Sequence, residues 1–238
     1  GNAVLIETPS GRQVVVDGGP SPTVMTAHLG RRMPFWDRTL DLVILSDLED
    51  DVVAGLVPLA ERYDVAHLWL PQAGQRASAA YQELQATTQE RGIDAQTPLV
   101  GTRAEMGDGV VLTIMHRGEE GGGPIVLRVD YGETCFLLAG SAERTVEQAM
   151  MARGERMRCD VLQVGRQGRD EATSVHFVEA VSPALAVISV GDEDRAGDPD
   201  DVVLARLIEH GATLARTDEL GSVETISNGR EYIVRVRK

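Results

Sequence analysis

The chain has 238 residues, 42% of them hydrophobic, 25% charged and 4% aromatic, with a formal net charge of −14. That length buries a substantial core, as one large α/β domain or two small ones. The acidic balance and scarce aromatics argue against a general nucleic-acid surface, leaving room only for a local basic mouth, and no apolar run reaches the ~18 residues of a membrane span.

Ala3–Glu7 and Gln13–Val16 are β-rich and flank the turn Pro9-Ser10-Gly11, so they predict a hairpin, closed by Asp17-Gly18-Gly19-Pro20. Thr23–Arg32 predicts a short helix that Pro34 stops. Leu42–Leu45 is a short apolar run ending in an acidic cluster, Asp47, Glu49, Asp50 and Asp51. A helix follows from Val52 to about Tyr63, with Val53, Leu56, Val57 and Ala60 on one face. Strand, site-bearing turn and helix is how open α/β folds place side chains at the carboxyl end of a sheet.

His67–Leu70 predicts a strand ended by Pro71, and Ala77–Arg91 a polar helix anchored by Tyr81 and Leu84. A second hairpin, Leu99–Met106 with Val110–Met115, turns at Gly107-Asp108-Gly109 and precedes the glycine-rich loop Glu119–Pro124. Strands at Ile125–Val129 and Cys135–Leu138 lead to a helix at Ala142–Arg153. Then strand and helix alternate: Val161–Val164, Thr173–Val181, Ala184–Val190, Val202–Glu209. Leu214–Ala215, Ser222–Ile226 and Tyr232–Val236 finish as strands. The chain runs β-rich then α/β, twice over, with no dividing linker. That pattern predicts one α/β domain over 1–238, two mixed sheets packed together with helices outside as a four-layer αββα sandwich.

No signal-peptide pattern is legible. The first residue is Gly1, not Met, which reads as a domain boundary or a processed end. Cys135 and Cys159 sit in apolar, strand-like runs without zinc-knuckle spacing and read as two buried thiols. Gly121-Gly122-Gly123 lacks the Lys-Ser/Thr of a phosphate loop and reads as a flexible turn. Ser46 and Ser141 have no histidine placed to activate them as nucleophiles. Asp192-Glu193-Asp194 and Asp198–Asp201 read as a solvated cap ahead of the helix at Val202.

Several segments in order carry a family resemblance. Val43–Leu56, VILSDLEDDVVAGL, resembles the metallo-β-lactamase superfamily signature T-H-x-H-x-D-H-x-G-G, position for position. Gly1-Asn2-Ala3-Val4-Leu5-Ile6 is similar to a G-D-A-x-L-I opening strand, and Thr8-Pro9-Ser10-Gly11 and Val15-Val16-Asp17-Gly18-Gly19 follow in the expected order. Phe136–Glu143 resembles F-L-L-T-G-D-A-E, Asp160–Arg169 resembles D-V-L-K-V-x-H-H-G-S, and Val187–Pro199 resembles V-I-S-V-G-x-x-N-x-x-G-H-P. Together they resemble the carboxy-terminal metallo-β-lactamase-like domain of the DNA-uptake competence protein family ComEC, over nearly the whole chain.

The resemblance implies two metal ions held by His and Asp. Here Asp47 and Glu49 stand where two histidines are expected, Asp51 keeps its aspartate, and Val52 replaces a third histidine. Ser141 stands at the metal-bridging aspartate, Arg166 and Gln167 replace the two histidines of H-H-G, and Asp198 replaces the one in G-H-P. His116, near the glycine-rich loop, sits where the family often has histidine, and the five histidines, at 28, 67, 116, 176 and 210, share no ligand spacing.

The expectation is a vestigial site of Asp47, Glu49, Asp51 and Asp198, lined by Ser141, Arg166, Gln167 and His116, with no catalytic residue and no cofactor. Arg166 is expected to bind one of these acids in place of the metal. The domain would be a scaffold or interaction module in DNA uptake, soluble but tethered to the cell membrane through an N-terminal part, with DNA or the membrane channel part of the same protein as partners. The alternative is a nuclease or phosphodiesterase using the four oxygen donors on Mg²⁺ or Mn²⁺. Against it stand Val52, which cannot ligate, and Arg166, which puts positive charge where a cation would sit. A fold relative acting outside DNA uptake ranks third.

Overall fold

The computed structural model describes residues 1–34, 36–72, 78–118, 123–191 and 197–237. The chain forms two compact units, the first of Gly1–Leu99 with Arg117–Ile125, the second of Val100–His116 with Val126–Lys238.

In the first unit, β1 (Val4–Glu7) and β2 (Gln13–Val16) form the expected antiparallel hairpin, Val4 opposite Val16. Helix α1 (Pro22–Arg32) starts with Pro22 in its first turn and Ser21 capping the Val24 N–H. It is followed by β3 (Thr39–Leu40) and β4 (Leu42–Ile44). Next come α2 (Asp50–Val53), α3 (Leu56–Arg62), β5 (Asp64–Val65), β6 (His67–Trp69), α4 (Ala79–Arg91) and β7 (Asp94–Gln96). The main sheet has order β1-β2-β4-β6-β7, parallel except for the β1–β2 pair, and β3 pairs with β5 alongside. Every residue of β2 and β4 is buried, as strands covered on both faces should be.

The single helix expected from Val52 to about Tyr63 is instead two, α2 and α3. The Gly55 N–H bonds the Gly19 carbonyl at 3.0 Å, and the Gly18 N–H takes the Val52 carbonyl at 2.8 Å. A Cβ on Gly55 would lie 1.9 Å from the Gly18 carbonyl oxygen, so only glycine admits this approach. β7, fully exposed along an edge, and the two-residue strands β3 and β5 are too short and polar to show a period in the sequence.

The second unit contains β8 (Arg103–Glu105), β9 (Val110–His116), β10 (Val126–Tyr131), β11 (Thr134–Leu138), α5 (Arg144–Ala152) and β12 (Val161–Gln163). α6 (Val175–Val181), β13 (Leu185–Ile188), α7 (Asp201–Glu209), β14 (Thr213–Arg216), α8 (Thr217–Leu220), β15 (Ser222–Ser227) and β16 (Tyr232–Arg237) complete it. Its seven-stranded sheet runs β14-β13-β12-β11-β10-β9-β8, antiparallel from β8 to β11 and parallel from β11 to β14. The hairpin β15–β16 packs Val223 and Tyr232 against Val161, Leu185 and Ala215. The glycine-rich loop at 119–122 and the acidic run at 192–194 lie outside the described residues.

Each unit has its own core. Leu29, Leu45, Leu56, Leu68, Tyr81 and Leu84 centre the first, and Leu137, Leu162, Phe177, Ile188 and Leu207 the second. Tyr81 and Leu84 anchor α4 as its sequence implies. Cys135 and Cys159 are buried in the second core as expected, but they are joined as a disulfide and are not free thiols.

Candidate functional site

In the first unit the acidic turn leaves the carboxyl end of β4. Ser46 is buried, Asp47 half-buried, and Glu49 exposed as the residue before α2. The Asp47 carboxylate accepts the Leu48 N–H at 2.6 Å. Asp51 lies in the first turn of α2, where a carboxylate suits the positive end of the dipole, with one oxygen 3.4 Å from the Gly1 backbone nitrogen. Val52 points into the core at 1% exposure, so the position where the resemblance expects a histidine is spent on packing.

Asp17, at the carboxyl end of β2, belongs to this turn, whereas the sequence pattern places it only in the hairpin's closure. It is 2% exposed and takes a φ of 61°. Its two carboxylate oxygens accept the Ser46 N–H and the Ser46 hydroxyl, both at 2.6 Å. Burial pushes its pKa up to about 7, against the lowering pull of the two Ser46 bonds, and the charges of Asp47 and Asp51 push the same way as burial. The available signal was a carboxylate directly after Val-Val-Val, at the end of a strand neighbouring the acidic turn.

In the second unit, β11, β12 and β13 run parallel, so the segments after them emerge at one sheet edge. Ser141, Arg166 with Gln167, and Asp198 follow these three strands, and close contacts join their segments. The Arg166 N–H bonds the Gly140 carbonyl at 2.9 Å, and the Asp200 N–H bonds the Gly168 carbonyl at 3.0 Å. Buried Gln163 holds the first turn by accepting the Gly140 N–H at 2.9 Å. Arg166, Gln167 and Gly168 are all left-handed, with φ of 49°, 57° and 85°. A Cβ on Gly168 would sit 2.5 Å from Cβ of Pro199, which closes that turn onto the Asp198 segment.

The left-handed run directs Arg166 to Glu171, at 3.1 Å, and Glu143, at 3.6 Å. Asp198, whose side chain is 5% exposed, receives Nε–H of Arg169 at 2.8 Å. That hydrogen bond holds the Arg169 guanidinium above its ordinary pKa. Arg169 is a partner that the sequence pattern does not single out. His116 is half-buried at the end of β9, opposite Val126 on β10. His176 is exposed on α6, and His67 and His210 pair with Asp94 and Glu179. Among the described residues of each unit, no three His, Cys, Asp or Glu side chains converge as a metal would require.

No protein-family profile matches the sequence. Among solved structures, the chain resembles a CmlA β-hydroxylase mutant at a TM-score of 0.61 and 13% identity, over 90% of this chain and 50% of that one. It also resembles Zn²⁺-bound PqqB from Methylobacterium extorquens, at 0.55 and 15%, over 90% and 84%. The chain has a metallo-β-lactamase-like fold. ComE operon protein 3 of Bacillus subtilis (strain 168) is 25% identical over 191 residues, 79% of this chain and 24% of its own length. Competence protein ComA of Neisseria gonorrhoeae is 32% identical over 107 residues, 44% of this chain and 16% of its own. In sequence, the chain resembles the metallo-β-lactamase-like domain of ComEC-family competence proteins. It spans about a quarter or less of the length of these relatives. No helix among the described residues is long and apolar enough to cross a membrane.

Proposed function

We propose that this chain is a single metallo-β-lactamase-fold domain of a ComEC-like competence protein, serving DNA uptake as a scaffold or interaction module without metal-dependent hydrolysis. The observation that carries this reading is the Arg169–Asp198 pair. The acid standing at one expected ligand position is buried and already neutralised by a guanidinium at 2.8 Å. Zinc needs three or four imidazole, thiolate or carboxylate ligands together, and the residues present do not fit it. Val52 is core, Arg166 and Arg169 bring positive charge, and Ser141 replaces a bridging carboxylate. Without a metal-activated water of pKa near ~7, this chemistry has no nucleophile. A tether to the cell membrane and contacts with the channel part of the same protein or with DNA belong to the same proposal.

The test is metal analysis and nuclease assay of the purified chain after incubation with Zn²⁺ and with Mn²⁺. The expected result is no stoichiometric zinc and no hydrolysis above background. Robust hydrolysis with Mn²⁺ that an Asp51→Ala variant loses would establish the alternative, a hydrolase using Asp47, Glu49, Asp51 and Asp198 as oxygen ligands.

A further inference from the structure

We propose that Cys135–Cys159 is a structural disulfide that clamps the two strands bearing the second unit's site turns, made where thiols are oxidised rather than in a reducing cytosol. The chain has two cysteines in 238 residues. The fold brings these two side by side from 24 positions apart, with Cα atoms at 4.7 Å. That separation lies inside the ~4.4–6.8 Å range that disulfides span.

Backbone contacts hold both cysteines in place. The Cys135 N–H donates to the Asp160 carboxylate at 2.8 Å, and the Asp160 N–H returns to the Cys135 carbonyl at 3.1 Å. The Cys159 N–H bonds the Val181 carbonyl at 3.1 Å, which ties the second cysteine to the end of α6. Cys135 is 5% exposed and Cys159 3%, within the core of Met115, Met150, Met157 and Phe177. Once formed, the bond is shielded from reductants while the chain stays folded.

The position has a structural consequence. Cys135 lies in β11, which leads into the Ser141 turn, and Cys159 immediately precedes β12, which leads into the Arg166–Gln167 turn. The bond therefore fixes the two strands at their entry ends, while the site turns leave at the opposite ends. It closes a loop that contains α5, the helix between the two strands. Closing such a loop removes conformations from the unfolded chain, the main route by which disulfides stabilise.

The oxidation is thiol–disulfide exchange. One cysteine thiolate attacks the disulfide of an oxidising exchange partner, releasing one partner sulfur as thiolate and forming a mixed disulfide. The second cysteine thiolate then attacks that mixed disulfide, forming the Cys135–Cys159 bond and releasing the partner as a dithiol. The two protons lost by the cysteines pass through solvent to the partner's two thiolates, and two electrons go to the partner. Bonds of this kind persist in oxidising compartments and are rare in reducing cytosols.

Cells of the source organism are quenched in acid, and their denatured protein is alkylated with a maleimide before and after reduction. Expected are no labelled cysteines before reduction and two afterwards. Two labelled cysteines without reduction overturn the proposal. As a second reading, purified unreduced chain is melted with and without a strong reductant. Reduction should lower Tm by roughly 5–15 °C, with no response in a Cys135→Ala/Cys159→Ala variant. An unchanged wild-type Tm after verified reduction overturns the clamp even if the double variant fails to fold.

Discussion

At the scale of single residues, burial changes the chemistry of Asp17. Its folded pKa of about 7 lies above the ordinary carboxylate value of 3.8, so between those values the folded chain holds a proton that the unfolded chain releases. Its contribution to stability is complete below about pH 4 and is lost as pH rises towards 7. The difference is on the order of a few kcal/mol. Asp17→Asn keeps a residue type that tolerates left-handed backbone and does not titrate. Its stability relative to wild type should improve from pH 4.5 to pH 8 in urea unfolding, and a constant gap across that range would refute the assignment.

The two arginines of the second unit make a paired prediction. Arg169→Ala removes the guanidinium that donates to Asp198, whose side chain is 5% exposed, whereas Arg166→Ala removes a partner of the exposed Glu171 and Glu143. Arg169 is itself 37% exposed, so the cost is discounted to about 1–2 kcal/mol. Arg166→Ala should cost under about 1 kcal/mol. Chemical denaturation that ranks the two variants the other way would restore Arg166 as the principal partner.

At the scale of elements, the break between α2 and α3 is the feature most exposed to a single methyl group. Gly55→Ala would drive Cβ to 1.9 Å from the Gly18 carbonyl oxygen, a backbone atom that cannot swing aside. It should cost several kcal/mol, about 3 or more, or prevent folding. Gly30, inside α1, has nothing within 4 Å of a built Cβ. Gly30→Ala should therefore raise stability by about 0.5–1 kcal/mol, because alanine loses less backbone entropy in a helix. Thermal melts of both variants check the contrast.

The same break shows what the sequence could carry. Apolar runs such as Val14–Val16 and Leu42–Ile44 announce strands because full burial leaves a continuous hydrophobic signature. Helix α4 is legible from two anchors, and the end of α1 from the proline that stops it. The Gly18–Gly55 contact was not legible, because it depends on two glycines 37 positions apart meeting in space. Likewise, the pairing of Asp198 with Arg169 was not legible. Three successive left-handed residues decide where Arg166 and Arg169 point, and two of them, Arg166 and Gln167, are not residue types that favour that conformation. The disulfide escaped for the same reason, since adjacency of β11 and β12 is a property of the sheet order.

At the scale of the whole molecule, charge bears on the partner. Lys and Arg number 23 against 37 Asp and Glu, and every basic residue except Lys238 is arginine. Arginine's planar fork suits carboxylates and carbonyl oxygens, and here many of the guanidiniums serve internal acceptors. Arg128 grips Asp130 and two backbone carbonyls, Arg206 binds Asp170 and the Thr173 carbonyl, and Arg216 binds Asp218 and Glu219. Phosphate contacts need cations that can be turned outward, and each supplies affinity by releasing counterions from the DNA. A chain at −14 with its arginines so engaged repels a duplex over distances up to about a Debye length of ~8 Å at physiological salt. The expected outcome is no retardation of duplex DNA at about 150 mM salt, with any low-salt retardation vanishing steeply as salt is added. Of the two contacts proposed above, that outcome would favour the channel part of the same protein over DNA. Salt-resistant retardation of DNA at submicromolar chain concentration would reverse that conclusion, and would require that some of these arginines leave their acids to meet phosphate.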